Sequence, residues 1–437
     1  MKKVYMVLSF FILFLSIITV YGNTIYVPDN HPTIQKAIDT AKDGDTIIVR
    51  DGIYYENLII NKSITLKSEN GPKNCIIDGN NSGSVVVINV DGVTIEGFTI
   101  RNSGNSWSDA GIEVNSHNNK IKDNYITNNS KGIYLFLSNN NIITGNIIKE
   151  NGMGILLSDS SYNSIINNTF IRDGITIEGE VWDYWIHTVE NNTVNGKPLY
   201  YIRDKVGGSI REDTGQVILV NCRDMVIEDV NISDTDRGVT LVGSFNITVR
   251  NCEISNNSGS GVYLWCSDNC IITGNNIREN GNGIYFVVSS NNIIIGNNIW
   301  ENEIGIYLRY SSSNNNIIVG NNITENNEGI YFIDSVGNII VGNDISENKN
   351  KGIYLTSGSS ISGINIIMKN NIRDNGVGIY LWHSYANKIY FNNFINNKYN
   401  PIYLWDFFFL PIKILVPNPI QVLPLLCLLY ITLSLVF

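Results

Sequence analysis

Charged residues are scarce in this sequence, and more of them are acidic than basic. Asp, Glu, Lys and Arg make up 16% of the 437 residues, and the formal net charge at pH 7 is −10. Nucleic-acid binding needs a basic surface for the phosphates, so this composition argues against a nucleic-acid partner. Histidine, methionine and cysteine are also rare, with 4, 5 and 6 residues, which leaves few soft ligands for a transition metal.

Three residue types dominate instead, with 66 Asn, 71 Ile and 38 Gly. Asn and Gly disfavour helices, whereas Ile favours the pleated surface of a strand. A composition this narrow over hundreds of residues is typical of one short unit repeated many times. Because 43% of the residues are apolar, such an array can still bury a large core.

The repeat is visible in the tetrapeptide Gly-Ile-Tyr-Leu and its close variants. Copies begin at Gly132, Gly261, Gly283, Gly305, Gly329, Gly352 and Gly378, and Pro401 begins a final one. From Gly261 onward the spacings are 22, 22, 24, 23, 26 and 23 residues. Each unit reads as two or three very short strands separated by turns. Such strands gain most by pairing with the same strand one unit later, which predicts parallel sheets that run along a solenoid.

We therefore predict an all-β fold, a single-stranded right-handed parallel β-helix with turns of 22–23 residues over residues 46–406. Leucine-rich repeats share this period but need Leu where the chain has Ile. Residues 172–217 lose the period and are predicted to be an irregular insertion. Within residues 23–45, the amphipathic stretch Pro32 to Ala41 is predicted to be a helix that caps the first turn.

One Asn recurs in each unit, in the run Ile-x-Gly-Asn-x-Ile. An Asn side chain both donates and accepts hydrogen bonds, so copies on successive turns can bond to each other and form a structural ladder. The predicted ladder members are Asn124, Asn146, Asn168, Asn275, Asn297, Asn321, Asn343, Asn370 and Asn393.

Strand alternation in Gly-Ile-Tyr-Leu places Ile and Leu toward the core and Tyr toward the outside. The sequence thus predicts an external aromatic column, whose candidate ligand-binding residues are Tyr263, Tyr285, Tyr307, Tyr331, Tyr354, Tyr380, Trp265 and Trp382. Two interpretations stay open. The rings stack on sugar faces while their hydroxyl groups bond to the sugar, or they stack on one another and only stabilise the sheet.

The two ends differ from the repeat. Residues 1–22 have the basic start and apolar run of a signal peptide, with a permanent anchor as the alternative. Residues 407–437 are almost wholly apolar, and three interpretations stay open: a membrane anchor, a plug over the last turn, and a tail produced by a reading-frame error. Nine Asn-x-Ser/Thr sequons agree with export, at Asn61, Asn80, Asn128, Asn167, Asn191, Asn231, Asn246, Asn256 and Asn322.

Several motifs carry a family resemblance. Near the start stand Thr33-Ile-Gln-Lys-Ala-Ile-Asp-Thr-Ala-Lys-Asp-Gly-Asp-Thr-Ile-Ile-Val, Gly52-Ile-Tyr-Tyr-Glu-Asn and Ile77-Asp-Gly, and in the middle Asn195-Gly-Lys-Pro-Leu-Tyr-Tyr leads into Gly215-Gln-Val-Ile-Leu-Val-Asn-Cys. Through them the chain resembles the NosD-like group of pectin-lyase-like β-helices with PbH1 repeats, also described as carbohydrate-binding and sugar-hydrolase (CASH) domains. The resemblance implies the β-helix fold, and the family name implies periplasmic copper binding linked to maturation of a copper enzyme.

The sequence offers no grouped copper ligands, because its histidines are scattered and it has no His-x-His or Met-x-Met pair. Only Cys266 and Cys270 are close in sequence, which is compatible with a local disulfide, a weak metal site or small residues of the repeat. No cofactor is required by any motif. Calcium is compatible with the acidic cluster described next, and copper is implied by the family name alone.

The candidate catalytic residues fall in two places. Asp234, Asp236 and Arg237 form the densest cluster, in which carboxylates two residues apart on a strand would share a face. Asp183 and His187 lie in the insertion, between aromatic residues. Either carboxylate group could move protons, and a solvated acidic turn is the alternative for the first cluster. The motifs of polygalacturonases and of the related epimerases are absent.

These patterns predict an exported cell-surface β-helix protein that is a non-catalytic scaffold or binds glycans. The alternative is a carbohydrate-active enzyme, either a polysaccharide lyase, a hydrolase or an epimerase, and the second alternative is the copper role. The predicted partner is an extended polysaccharide or cell-envelope glycan, and the C-terminal tail is compatible with membrane attachment.

Overall fold

The computed structural model describes residues 22–310, 313–357, 364–384, 386–405 and 413–415. The predicted signal peptide and apolar tail lie almost entirely outside these residues. In the part of the chain that is described, no helix is both long and apolar enough to cross a membrane.

The predicted parallel β-solenoid is confirmed. Each short strand pairs in parallel with the strand one turn later, as Ile143 does with Ile165 and Ile294 with Ile318. In a typical three-residue strand only the middle residue points inward, so Ile294 is fully buried between Ile293 and Ile295. Stacked turns therefore build a core of Ile side chains from a repeat that has no long apolar run.

Three sheets, named sheet 1, sheet 2 and sheet 3 in the order that the chain visits them, form the first stretch of the solenoid. Sheet 1 contains Thr24–Val27, Thr46–Val49, Thr65–Ser68, Thr94–Glu96, Lys120–Lys122, Ile142–Thr144, Ser164–Ile166 and Thr188–Glu190. Sheet 2 contains Gly52–Tyr55, Cys75–Asp78, Thr99–Arg101, Tyr125–Thr127, Ile147–Lys149, Thr169–Ile171 and Thr193–Val194. Sheet 3 contains Leu58–Ile60, Val86–Ile88, Ile112–Val114, Lys131–Phe136, Met153–Ser158 and Ile175–Glu178.

The second stretch repeats the same order, and its sheet 3 holds all the Gly-Ile-Tyr-Leu strands after the one that contains Gly132. Its sheet 3 contains Lys197–Arg203, Gln216–Val220, Val239–Val242, Ser260–Trp265, Asn282–Val287, Ile304–Arg309, Glu328–Ile333, Lys351–Thr356, Val377–Trp382 and Asn400–Trp405. Its sheet 1 contains Ser209–Ile210, Val226–Glu228, Thr248–Arg250, Ile271–Thr273, Ile293–Ile295, Ile317–Val319, Ile339–Val341, Ile366–Met368, Lys388–Tyr390 and Lys413–Leu415. Its sheet 2 contains Asn231–Ser233, Glu253–Ser255, Asn276–Arg278, Asn298–Trp300, Asn322–Thr324, Asp344–Ser346, Asn371–Arg373 and Asn393–Ile395.

The glycine of each Gly-Ile-Tyr-Leu strand is required by close contact between turns. A Cβ atom on Gly305 would lie 2.5 Å from the carbonyl oxygen of Gly329, and one on Gly283 would lie 2.5 Å from that of Gly305. Any larger residue would push successive turns apart, which explains why the tetrapeptide keeps its Gly.

The two stretches have separate hydrophobic cores. At the junction, Val217 and Leu219 point into the core of the second stretch, while Ile218 and Val220 pack against the end of the first core. The strands Gln216–Val220 and Val239–Val242 are therefore buried on both faces, which sets them apart from the alternating strands around them.

The N-terminal helix spans Ile34–Thr40, slightly shorter than the stretch predicted from the sequence. The hydroxyl of Thr33 accepts a hydrogen bond from the backbone N–H of Lys36 and caps the helix. Ile34, Ala37 and Ile38 are buried against the first turn, so the helix covers the open apolar end.

The segment 172–217, predicted to be irregular, keeps the turn geometry as far as Val194. Trp182, Tyr184 and Trp185 belong to a detour that contains the short 3-10 helix Trp182–Trp185, between two regular strands. Tyr200 and Tyr201 lie in the strand Lys197–Arg203. After Val194 a tight antiparallel hairpin joins Thr193–Val194 to Lys197–Arg203 and starts the second stretch.

Candidate functional site

A row of six tyrosines runs along the outer face of sheet 3. This tyrosine column comprises Tyr285, Tyr307, Tyr331, Tyr354, Tyr380 and Tyr403. Its first four rings lie nearly parallel, with centroids 4.6, 5.1 and 4.5 Å apart and interplanar angles of 8°, 8° and 2°. The stack is interrupted between Tyr354 and Tyr380, where the rings are almost perpendicular at 88°.

The stacking of the rings determines which of their atoms a ligand can reach. Each face of Tyr307 and Tyr331 is covered by a neighbouring ring, so only ring edges and hydroxyl groups reach solvent. The predicted mode in which sugars stack on the faces of these rings is therefore wrong for the stacked part of the column. Burial raises the pKa of Tyr307 to about 12 and raises the pKa of Tyr285 and Tyr331, which keeps the hydroxyl groups protonated at neutral pH.

Three residues predicted to face solvent are covered, and one of them is Tyr354, which is 9% exposed and has the Lys351 Nζ 4.4 Å from its ring centroid. The ring of Tyr263 is only 8% exposed because the Arg237 guanidinium lies 4.3 Å from its centroid. Trp265 is stacked on Trp185, with centroids 5.6 Å apart. The strand pattern placed the side chains of Tyr263 and Trp265 on the outer face correctly, but segments distant in sequence lie over them and block ligand access.

Exposed aromatic faces occur at the far end of the same sheet. Trp382 and Trp405 are cross-strand neighbours and are 44% and 46% exposed. They lie beside Tyr380 and Tyr403, so sheet 3 ends with two accessible indole rings next to the tyrosine column.

The three residues of the predicted acidic cluster point in different directions. Asp234 lies in a turn, not on a strand, with a φ of 55°, and it accepts a hydrogen bond from the side chain of Asn256. Asp236 is buried and accepts a 2.9 Å hydrogen bond from the backbone N–H of Gly154. Arg237 pairs with Glu178 at 2.9 Å. The expectation of carboxylates sharing one strand face is thus wrong.

The candidates in the insertion are also separated. Asp183 is exposed on the 3-10 helix. His187 is buried, its Nδ1 accepts the backbone N–H of Asn163, and burial lowers its pKa to about 4. The neutral imidazole of His187 occupies a ladder position and stabilises the corner through this hydrogen bond. Because it is buried, it is not free to exchange protons with a substrate.

The asparagine ladder runs through the buried corner between sheets 1 and 2. In a typical rung, the backbone N–H and the Nδ2 of Asn275 both donate to Oδ1 of Asn297, at 3.0 and 2.9 Å. Eight of the predicted members lie in this corner: Asn124, Asn146, Asn168, Asn275, Asn297, Asn321, Asn343 and Asn370.

The ninth prediction, Asn393, is wrong by one position. Asn370 donates to Asn392, which is buried, while Asn393 is exposed and donates to Asn371 on the outer face of sheet 2. Phe391 replaces the Gly that precedes the ladder Asn in most turns, so no local marker distinguishes the two consecutive asparagines.

Sequence reasoning missed a buried carboxyl group in a parallel ladder at the corner between sheets 2 and 3. Asp173 is fully buried, and it accepts the backbone N–H and the Nδ2 of Asn151 at 3.0 and 2.8 Å. Burial and the charge of Asp236 raise the pKa of Asp173 to about 8, and burial raises the pKa of Asp236 to about 7. Asn129, Asn151 and Asp173 are spaced by 22 residues, and this spacing could have identified Asp173 from the sequence.

Two grooves lie along this same corner. The larger, of about 700 Å³, is bounded by the loop 103–107, Lys131 and Met153. The Lys131 Nζ donates to the carbonyl oxygen of Trp107 and lies 4.8 Å from its ring centroid, and burial lowers the pKa of Lys131. The smaller groove, of about 320 Å³, is bounded by Arg172, Asp234 and Glu279 among others.

The arrangement does not fit a copper site. Across the described ranges, no three His, Cys, Asp or Glu side chains lie together in a way that would hold a metal ion. The Nδ1 of His117 is already engaged with the backbone of Asn139, as that of His187 is with Asn163. Cys266 and Cys270 are not joined in a disulfide, and Cys252 takes a ladder position above Asn275.

Comparison with known families agrees with the solenoid geometry. The family described as right handed beta helix region matches residues 63–223 and 216–367. The chain belongs to this family. The two matched regions of this right-handed β-helix meet where the two hydrophobic cores meet.

A cell surface glycoprotein of Methanothermus fervidus is similar to part of this β-helix protein. The two are 49% identical over 70 residues, which is 15% of this chain and 11% of that glycoprotein. The chain therefore matches about a tenth of the length of this relative.

Solved β-helix structures resemble the chain over most of its length but at low identity. Dettilon tailspike protein is 15% identical, with 87% of this chain and 68% of that chain covered and a TM-score of 0.34. The Azotobacter vinelandii mannuronan C-5 epimerase AlgE4 A-module is 13% identical, with 88% and 95% covered and a TM-score of 0.32. The catalytic domain of GH87 alpha-1,3-glucanase is 13% identical, with 88% and 68% covered and a TM-score of 0.36. These likenesses carry no argument about what this chain binds or does.

Proposed function

We propose that this chain is an exported, non-catalytic cell-surface protein that binds an extended, polyhydroxylated ligand, such as a cell-envelope polysaccharide, along its tyrosine column. The observation that carries the proposal is the regular row of phenol groups on one sheet face. A phenol hydroxyl both donates and accepts hydrogen bonds, so each solvent-facing tyrosine of the row offers the same pair of functions, and buried Tyr354 interrupts the row. The partial match to a cell surface glycoprotein supports the proposed location.

The shape of the surface favours a long ligand over a small one. Small-molecule sites are usually concave, whereas the column is a ridge of stacked rings on a sheet. Arg309 follows Tyr307 by two residues on the same strand face, and its interaction with the Tyr285 hydroxyl raises the pKa of Arg309. At the end of the sheet, Trp382 and Trp405 offer the exposed ring faces on which a sugar can stack.

Removing two hydroxyl groups without disturbing the stack tests this proposal. We expect the double variant Tyr307→Phe, Tyr331→Phe to bind a polysaccharide array about tenfold more weakly, because each net hydrogen bond contributes roughly 0.5–1.5 kcal/mol. The matched control is Tyr162→Phe, Tyr399→Phe, which removes two hydroxyl groups from exposed tyrosines outside the column. Equal affinity of both double variants and the unmodified chain would contradict the hydroxyl row as the binding surface.

A carbohydrate-active enzyme is the second candidate function, and the smaller groove favours it. Asp234 and Glu279 lie in that groove with Arg172, so two carboxylates and one cation border the same space. Product analysis after long incubation with the bound polysaccharides distinguishes the two functions. Cleavage or epimerised product that disappears in Asp234→Asn would replace the binding proposal with an enzymatic one.

A further inference from the structure

All nine sequon asparagines are exposed at the surface. They are Asn61, Asn80, Asn128, Asn167, Asn191, Asn231, Asn246, Asn256 and Asn322. Exposure is not general for Asn in this chain, because many asparagines form the buried ladders. In four sequons the middle residue is itself a ladder Asn: Asn129, Asn168, Asn192 and Asn257 are only 5%, 1%, 2% and 2% exposed.

The backbone explains part of this pattern. Six sequon asparagines have a positive φ at solenoid corners, a conformation that Asn adopts more readily than most residues. That preference accounts for the Asn but not for the Ser or Thr two residues later. Where the sequon lies in a strand, the alternation of side chains places the Asn and the Ser or Thr on the outer face. Asn322 and Thr324 lie in this way on either side of buried Ile323.

The distribution around the solenoid is uneven. Asn231 and Asn322 are on the outer face of sheet 2, and the other sequon asparagines lie at corners between sheets. No sequon asparagine lies in a described strand of sheet 1 or of sheet 3, and the outer face of sheet 3 carries the tyrosine column.

We propose that the nine exposed asparagines are attachment sites for N-linked glycans, and that these glycans cover sheet 2 and the corners while leaving the tyrosine column bare. The donor is a sugar joined through phosphate to a lipid carrier. The Asn Nδ2 forms a bond to the anomeric carbon, the bond from that carbon to the phosphate oxygen breaks, the lipid phosphate leaves, and the amide loses one proton. A hydrated glycan coat at these positions leaves the outer face of sheet 3 open to a macromolecular partner.

Two neighbouring turns provide a matched pair of positions for the test. Asn322-Ile-Thr324 is a sequon, and Asn298-Ile-Trp300 pairs with it in register but is not. The side-chain amide of Asn322 has no hydrogen-bond partner among the described residues. Asn322 and Asn298 are both exposed. Thr324→Ala removes the sequon, while Trp300→Thr creates one on the adjacent turn.

The full chain is isolated from the surface of its own host, and its glycopeptides are identified by mass spectrometry. We expect a sugar mass on Asn322 of the unmodified chain, its loss in Thr324→Ala, and a new sugar mass on Asn298 in Trp300→Thr. Thermal unfolding of unglycosylated protein from a bacterial host serves as the folding control for both variants. Unmodified asparagines at all nine positions, a sugar that persists in Thr324→Ala, or sugar attached within the described strands of sheet 3 would overturn the proposal.

Discussion

The free energy of unfolding is expected to fall as the pH rises from about 4 to about 8, and Asp173→Asn is expected to remove somewhat more than half of that fall. Both Asp173 and Asp236 have a folded-state pKa above the unfolded value of 3.8, at about 8 and about 7. Between these values the folded state holds protons that the unfolded state has released, so stability decreases with pH. Over this range the loss for the pair is on the order of 10 kcal/mol, since a pKa change of one unit corresponds to about 1.4 kcal/mol.

The substituted side chain suits the position. An asparagine side chain in place of Asp173 would accept the backbone N–H and Nδ2 of Asn151 through its Oδ1, as ladder asparagines do for their neighbours, but it carries no charge into the buried corner. We expect Asp173→Asn to match the unmodified chain near pH 4 and to exceed it by several kcal/mol near pH 8. Chemical denaturation at a series of pH values measures the difference.

A control separates burial from a general effect of removing an acid. Asp123→Asn changes a carboxylate that is 64% exposed at another corner, so its unfolding free energy should follow that of the unmodified chain at every pH. Burial lowers the pKa of His187 to about 4, which destabilises the fold as the pH falls from about 6.5 to about 4. That contribution is present in all three proteins and cancels in the comparison. Parallel pH curves for Asp173→Asn and the unmodified chain would contradict the buried carboxyl pair.

The solenoid could be predicted from the sequence because its rules are local. The Gly-Ile-Tyr-Leu spacing, the single inward Ile of each short strand and the recurring Asn all depend on residues within one turn. The junction could not be predicted, because it depends on where the chain returns after the hairpin at residue 195. Asp173 lies beside Asp236 although 63 positions separate them, and no periodicity marks that approach.

The same limit applies to the candidate site. Alternation predicts the outer face of sheet 3, but access to Tyr263 and Trp265 depends on Arg237 and Trp185, which arrive from the junction and the insertion. The stacking of the remaining tyrosines follows from the rung spacing itself, because rings on successive strands of one face are held within contact distance. A binding mode through ring faces therefore conflicts with the geometry that aligns the rings.

Breaking one ladder in the middle of the second stretch is expected to be strongly destabilising, and the neighbouring Asn offers the control. Asn297→Ala leaves the backbone N–H and Nδ2 of Asn275 without their acceptor, and the carbonyl oxygen of Ile272 loses a donor. The Asn275 Nδ2 keeps its second hydrogen bond, to the carbonyl oxygen of Val249, so two groups are left unpaired. Each unsatisfied buried group costs roughly 1–3 kcal/mol, so we expect a loss of about 2–6 kcal/mol. Asn298→Ala removes one exposed hydrogen bond to Asn276 and should stay within about 0.5 kcal/mol of the unmodified chain.

The position of the loss along the chain is as informative as its size. Each solenoid turn contacts mainly the turns on either side, so a broken rung should weaken its neighbours first and the distant turns least. Hydrogen exchange in Asn297→Ala should therefore accelerate most in the strands Ile271–Thr273, Ile293–Ile295 and Ile317–Val319, and little in the first stretch. Uniform acceleration along the whole chain would mean that the two cores unfold as one unit. Equal effects of the Ala substitutions at 297 and 298 would show that the buried amide chain does not stabilise the corner.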